Sequence, residues 1–428
     1  MAEILLYLAI FFSPMGAKAL SFPIGGVKMS MFRLLIILSL LLLVGEKLQK
    51  RNKLLVAKSD NKYSACFMYL WLLYAVITVI WAKDFSNWVR NIFFLSVAVF
   101  CIVLFIDRFD NRKKVIKAFW ALHWGIALQS AIGWYEMITL DYRFIDWTEK
   151  LYQYYIHGKL RSPIAMAGNQ NDFATMMMVG VFISYICFTT AKKKWIKAIC
   201  IALAASEAAL IFLSMSRANM IGFVIAIMLI MLVGGRRKLL IIPGVIILLL
   251  LFPEALNNFA LSMHLNLAST VSGDSNRINL IKNGVDFLVR TFGFGVGCGQ
   301  IESWMSTEAV YDTNGIINMH NWWMEILTGY GFLIFIGYVV FYTKMFSTFL
   351  SAWTRGINRE IRAIAMAISS IMASYIIAGI SSSSNMTNEF LWVFWAICII
   401  FQGIMHEDEG EAELKGIRAK ALTQIGTS

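Results

Sequence analysis

The chain has 428 residues, 59% of them hydrophobic and only 15% charged, with a formal net charge of +12. A mean hydropathy of +0.66 lies well above that of soluble globular domains and points to an integral membrane protein. The Lys and Arg excess falls in short clusters between apolar runs, which cytoplasmic loops facing anionic lipid explain without any nucleic-acid partner. The 6 cysteines include no CxxC pair, and all but Cys298 lie in apolar runs, which argues against a disulfide framework or a zinc site.

A spanning helix needs about 20 mostly apolar residues. Runs of that kind fall at about 3–22, 30–46, 64–82, 90–106, 115–138, 172–190, 196–214, 218–233, 239–257, 323–343, 362–381 and 388–404, about twelve in all. Pro14, Pro23 and Pro243 border or interrupt the first and the ninth. Ala17-Lys18-Ala19 resembles a signal cleavage site, but no Lys or Arg precedes the first apolar run, so that run is expected to be retained as a helix.

Basic clusters follow the even-numbered runs: Lys47, Lys50, Arg51 and Lys53; Arg108, Arg112, Lys113 and Lys114; Lys192 to Lys194; Arg236 to Lys238; Lys344 with Arg355, Arg359 and Arg362. The positive-inside rule puts all of them, and both termini, in the cytoplasm. The expected fold class is therefore an all-α polytopic membrane protein with about 12 transmembrane helices and one large extracytoplasmic loop containing short amphipathic helices. Residues 1–405 form one multi-span domain, with 258–319 as the large loop, and 406–428 form a charged cytoplasmic tail. No inverted repeat of the transporter type is evident.

Two sizeable connections then face outward, from about Leu140 to Asn171 and from about Glu254 to Met319. Non-helical backbone near membrane depth is tolerated where it lines a polar cavity, so chemistry is expected there. Arg217, in Ser214-Met215-Ser216-Arg217, closes the turn between the seventh and eighth runs. It either snorkels to headgroups or serves a site. Arg277, in Asp274-Ser275-Asn276-Arg277, precedes an amphipathic pattern at Leu280, Ile281, Val285, Phe287 and Leu288. A surface arginine paired with Asp274 accounts for it when it is taken alone, and a helix N-terminus that favours anions is the other reading. The alternating glycines from Gly293 to Gly299 match no dinucleotide fingerprint and are read as a structural turn in preference to a phosphate cradle.

His320 opens the tenth run in Met319-His320-Asn321-Trp322-Trp323-Met324-Glu325. A neutral imidazole can take a proton from a hydroxyl near physiological pH. Asn321 and Glu325 share a helical face and could orient each other or a sugar, while Trp322 and Trp323 read first as an interfacial belt and second as a stacking surface. Arg161 lies in the other outward connection, where Asn171 or Asp172 is placed to cap the sixth run. Arg90, Glu136 and Glu207, in or near apolar runs, are expected to pair inside the bundle. No DxD motif faces outward, and GxSxG, Walker A and HExxH patterns are missing, so metal-dependent transfer, a hydrolase triad and ATP-driven pumping lack support.

In order and spacing these landmarks resemble the O-antigen ligase and Wzy-type polysaccharide polymerase superfamily, which has a GT-C-like fold. The resemblance rests on Ser216-Arg217, on Arg277 before an amphipathic helix, on the glycine turn, and on His320-Asn321 leading into Glu325, Leu327, Gly329 and Gly331. It spans about Asn169 to Phe341; in the Gly168-Asn169-Gln170-Asn171-Asp172 stretch Gln170 replaces the family's proline. The resemblance implies metal-independent, inverting glycosyl transfer from an undecaprenyl-diphosphate-linked oligosaccharide, without a cofactor. The same resemblance implies that His320 would activate the acceptor hydroxyl while Arg217 and Arg277 would hold the diphosphate. Ser216, Asn276, Asn321, Trp322, Glu325 and Arg161 are then candidates for substrate binding.

The acceptor is another repeat unit for a polymerase, the favoured reading, or lipid A core for an O-antigen ligase. Without an outer membrane, teichuronic-acid or capsule-type polymerisation remains. The expected location is the bacterial cytoplasmic membrane with the active face outward, among membrane lipids and beside a flippase and a chain-length regulator. A transporter of lipid-linked sugars or a membrane scaffold is a competing class, but the candidate charges concentrate at one face and not along a central pathway.

Overall fold

The computed structural model describes residues 2–17, 21–24, 27–57, 61–144, 162–251, 271–356, 358–382 and 385–405. The helices among them begin with α1 (Ala2–Phe12), α2 (Met31–Lys50), α3 (Lys62–Ile77), α4 (Phe85–Arg108), α5 (Arg112–Thr139), α6 (Gln170–Thr190), α7 (Lys194–Leu213) and α8 (Arg217–Val233). Then come α9 (Ile241–Leu251), α10 (Val271–Arg290), α11 (Ile301–Glu308), α12 (Trp322–Arg355), α13 (Arg359–Ala378) and α14 (Glu389–Met405). Among the described residues 7 helices are long and apolar enough to cross a membrane, and α1, α8 and α14 are shorter apolar helices. The protein is an all-α polytopic membrane protein.

Polar residues at the ends of the apolar runs set the helix starts. Ser30, Asp84, Asn111, Asn169, Asn321 and Asn358 each accept a hydrogen bond from a backbone N–H of the first turn, so the spans begin where the sequence turns polar. The cap of α6 is Asn169, whose side chain accepts from Asp172 N at 2.8 Å, and not Asn171 or Asp172. The first apolar run also differs from expectation. It leaves the α-helix at Phe12, makes a 3-10 turn over Ser13–Met15, and continues into an antiparallel hairpin of β1 (Phe22–Ile24) and β2 (Val27–Met29). Pro14 and Pro23 remove the donors a longer helix requires.

In a bilayer the contact between helices is driven by packing and by polar links more than by water exclusion. α6 packs on α7 and α5, α8 on α13, and α13 on α12. The ring of Trp71 lies 6.0 Å from Trp322, 5.8 Å from Tyr338 and 6.0 Å from Trp392, joining α3, α12 and α14. Each such pair contributes about 0.5–1.5 kcal/mol beyond its area.

α10 and α11 sit together at one end of the bundle over a second small core of Leu280, Phe287, Val296, Trp304, Met305 and Met319. The fully buried Asn283 secures the chain that follows, its Oδ1 accepting from Val310 N and Tyr311 N at 2.9 Å and its Nδ2 donating to Tyr311 O at 2.8 Å. Tyr74 donates to Phe294 O at 2.6 Å, Trp81 to Gly295 O at 3.1 Å, and Lys83 pairs with Glu308 at 2.7 Å, which fixes this cap to the neighbouring turn of α3 and α4.

The glycine run is a clasp on α12. Val296 N donates to Thr328 O, Gly297 N to Gly329 O and Phe332 N to Gly293 O, each at 2.9 Å. α12 kinks at Gly331 (φ 74, ψ -176), and a Cβ there would meet Gly293 O at 2.3 Å. Gly329-Tyr330-Gly331 and the run from Gly293 are thus two halves of one close backbone contact.

Candidate active site

The start of α6 carries the first half of the site. Asp172 is buried; its Oδ2 accepts from Asn169 Nδ2 at 2.5 Å, and Ser382 Oγ donates to its Oδ1. Ser382 Oγ also lies 2.6 Å from Asn385 Oδ1, and Asn385 Nδ2 donates to Tyr375 Oη at 2.6 Å, so the end of α13 belongs to the same buried network. The start of α8 joins it. Ser216 Oγ donates to Asn171 Oδ1 at 2.8 Å, Asn219 Nδ2 to Asn171 O at 3.1 Å, and Thr175 Oγ1 to Asn219 Oδ1 at 2.9 Å. Arg217, half-buried, is the first residue of α8.

The second half comes from the backbone before α12. His320 has φ 48, a conformation uncommon outside glycine, that persists only where the surroundings hold it. They do so on its C-terminal side: Trp322 N donates to Gly379 O at 2.8 Å, and the Asn321 side chain accepts from Trp323 N at 3.1 Å and Met324 N at 3.3 Å. Burial and then the positive charge of Arg277 push the imidazole pKa below its usual value, while the Asp172 carboxylate pulls it back up. His320 therefore stands in the fields of Arg277 from α10 and Asp172 from α6, and the net downward shift favours its neutral form. The N-termini of α6, α8 and α12 meet here, and their dipoles add to the two arginines in favouring an anion.

Of the residues singled out from the sequence, His320, Arg277, Arg217 and Ser216 gather at this end of the bundle, and Arg161 lies outside the described residues, as do 258–270 and the tail at 406–428. Arg277 sits in the second turn of α10 and not ahead of it, because the helix already runs from Val271. Its own helix dipole, which fades within the first turn, contributes little there. Trp322 needs a correction. It is 3% exposed and donates to Tyr338 Oη at 3.0 Å within the aromatic core, so it neither faces the interface nor offers its ring to a sugar. Asn321 spends its side-chain oxygen on the α12 cap, and Asn276 accepts from Asn314 Nδ2 at 2.7 Å in the cap domain's own framework.

Arg90 pairs at 3.5 Å with Glu302 of α11, so it does not pair inside the bundle. Glu136 accepts from Ile164 N and Ala165 N at 2.8 Å, and Glu207 accepts from Ser184 Oγ at 2.8 Å, so both are met by hydrogen bonds. The sequence reading missed the partnership of Asp172 with Ser382 and Asn385. The signal was available as a serine run ending in Asn385 between two apolar runs.

A half-open cleft lies against Asn318 and Met319, the two residues before His320, with about 480 Å³ of empty space, mouth included. Asn91, Glu302, Asn318 and Glu325 give it polar walls, and Ile301, Met319, Tyr330 and Met386 give it apolar ones.

Residues 199–339, which include Arg217, Arg277, His320 and both halves of the glycine clasp, match the family model described as O-antigen ligase. The chain is also 27% identical over 356 residues to the teichuronic acid biosynthesis protein TuaE of Bacillus subtilis (strain 168), covering 78% of this chain and 70% of that protein. Together these matches support the O-antigen ligase and Wzy-type superfamily of polytopic membrane proteins.

Proposed function

We propose that the chain is a polysaccharide polymerase that joins undecaprenyl-diphosphate-linked repeat units at the extracytoplasmic face of the cytoplasmic membrane. The observation that carries this reading is that His320 feels the charges of both Arg277 and the buried Asp172, at the end of the bundle where α8 begins with Arg217. The acceptor hydroxyl gives its proton to neutral His320 as its oxygen forms a bond to the anomeric carbon of the donor. The bond from that carbon to the diphosphate oxygen breaks from the opposite side, so the configuration inverts. The electron pair leaves with the lipid diphosphate, whose growing charge Arg217 and Arg277 stabilise through guanidinium–phosphate hydrogen bonds. Because that leaving group is already activated, the scheme calls on no nucleotide or metal.

The positive-inside pattern supports the orientation, with both termini cytoplasmic and the α10–α11 cap outside. The teichuronic acid relative favours polymer formation, while the description of the matching family favours a ligase that passes a finished glycan to an acceptor such as lipid A core. Reconstitution with undecaprenyl-diphosphate-linked repeat units separates the two. A ladder of product lengths supports the polymerase; a single transfer, seen only when lipid A core is added, replaces it with the ligase.

A further inference from the structure

α10 carries apolar side chains on two separate faces. Leu280, Phe287 and Leu288 are buried, the first two in the small core of the cap. Ile278, Val285 and Val289 have the spacing of a second helical face and stand exposed. A third edge is polar. Asn279 Nδ2 donates to Asp312 O at 2.7 Å, Lys282 lies over the Tyr311 ring at 5.3 Å, and Arg290 pairs with Asp286 at 3.4 Å and also with Glu308. Among the described residues the cap engages the inner face and the polar edge and leaves the apolar stripe exposed.

Phe292 extends the stripe past the end of the helix. Its φ is 51, in a region that bulky side chains rarely adopt, and it is 91% exposed. Phe292 N donates to Val289 O at 3.0 Å and Gly293 N to Leu288 O at 2.8 Å, a helix-ending motif in which glycine usually holds the position of Phe292. A strained phenylalanine left almost wholly exposed points to an apolar partner outside the chain.

Two observations identify that partner as lipid. The stripe leads through exposed Phe294 to Phe332, whose ring lies so near Gly293 that a Cβ there would meet it at 2.8 Å. Phe332, Leu333 and Ile336 continue the exposed apolar row along α12, which is long and apolar enough to cross a membrane. The C-terminal end of α10 also lies at the height of the spans. Phe294 O accepts from Tyr74, Gly295 O from Trp81, and Cys298 N donates to Thr78 Oγ1 at 3.0 Å, all in the last turns of the spanning segment Lys62–Trp81. We propose that α10 lies along the membrane, with Ile278, Val285, Val289, Phe292 and Phe294 among the acyl chains of the leaflet on the cap side and the polar edge turned to headgroups and water. This contact does not depend on the glycosyl-transfer reading. One consequence does rest on that reading: Arg277 immediately precedes Ile278, so insertion of the stripe sets the height at which that arginine meets a lipid diphosphate.

The test uses the full chain in liposomes of phosphatidylglycerol and phosphatidylethanolamine, with Cys66→Ser to remove the exposed native thiol. Spin labels on Val285→Cys and Val289→Cys are expected about 5–10 Å below the phosphates, open to oxygen and shielded from a water-soluble nickel chelate. A label on Asp286→Cys, adjacent in sequence but on the polar edge, should show the reverse preference. Ile278→Cys replaces either stripe variant that does not fold.

Stripe labels open to the nickel chelate put the stripe in water, labels shielded from both reagents put protein over it, and label–label broadening puts a second copy there. Each of these results overturns the lipid contact. In the unlabelled chain, Val285→Asn combined with Val289→Asn should raise the KM for the lipid-linked donor severalfold. Labels that report lipid beside an unchanged donor KM would sustain the membrane contact and remove the consequence for Arg277. Labels that report lipid on a wild-type chain that transfers nothing from the lipid-linked donor would sustain the contact and sink the transfer reading instead.

Discussion

Gly331→Ala tests whether the glycine clasp holds the cap on the bundle. The new Cβ would lie 2.3 Å from Gly293 O and 2.5 Å from Phe294 C, both backbone atoms that cannot swing aside. The residue also has φ 74 and ψ -176, a region that is essentially restricted to glycine. Strain there costs about 1–3 kcal/mol. Moving the two strands of the clasp apart weakens the hydrogen bonds Val296 N to Thr328 O, Gly297 N to Gly329 O and Phe332 N to Gly293 O, all 2.9 Å long. At about 0.5–1.5 kcal/mol for each bond, the three bonds and the strain together come to about 2.5–7.5 kcal/mol. Gly45→Ala is the control, since nothing lies within 4 Å of its Cβ position in α2, and alanine in a helix is favoured by about 1 kcal/mol. Unfolding free energies in mixed micelles, with hydrogen exchange over 293–299 and 328–332, should show a large loss for Gly331→Ala and none for Gly45→Ala. Equal behaviour of the two variants would refute the clasp.

Two further outcomes follow from the geometry. The transfer rate needs neutral His320, so it is present above the imidazole pKa and lost as pH falls through it; burial and Arg277 hold that pKa down and Asp172 opposes them. Asp172→Asn should therefore move the acid limb of the pH–rate profile to lower pH, and a shift to higher pH would contradict the assignment. Asn283→Leu leaves Val310 N, Tyr311 N and Tyr311 O without their buried partner, at a cost of about 3 kcal/mol, and should strip hydrogen-exchange protection from residues 309–311 while the protection of α13 stays intact.

The 7 helices that are long and apolar enough to cross a membrane among the described residues were each legible in the sequence, because length and hydropathy are local properties. Apart from the hairpin after α1, what failed was governed by contacts distant in sequence. The hairpin after α1 follows from Pro14 and Pro23, whose presence marked the uncertain end without saying what replaces it. Trp322 looked like a belt residue because its position at a helix start is local, whereas its burial against Trp71 and Trp392 depends on α3 and α14. Asp172 was read as a cap because its partner Ser382 lies 210 residues away. The two glycine motifs were each visible, but their interlocking needed the fold.

The most direct measurement of the central claim is the single-turnover rate of His320→Ala in liposomes preloaded with lipid-diphosphate-linked repeat units. A positioned general base contributes about 10²–10⁴-fold, so the rate should fall at least about 100-fold while the donor still binds. A variant that folds, binds donor and transfers within about threefold of the wild-type rate would remove His320 from the chemistry and with it the proposed mechanism.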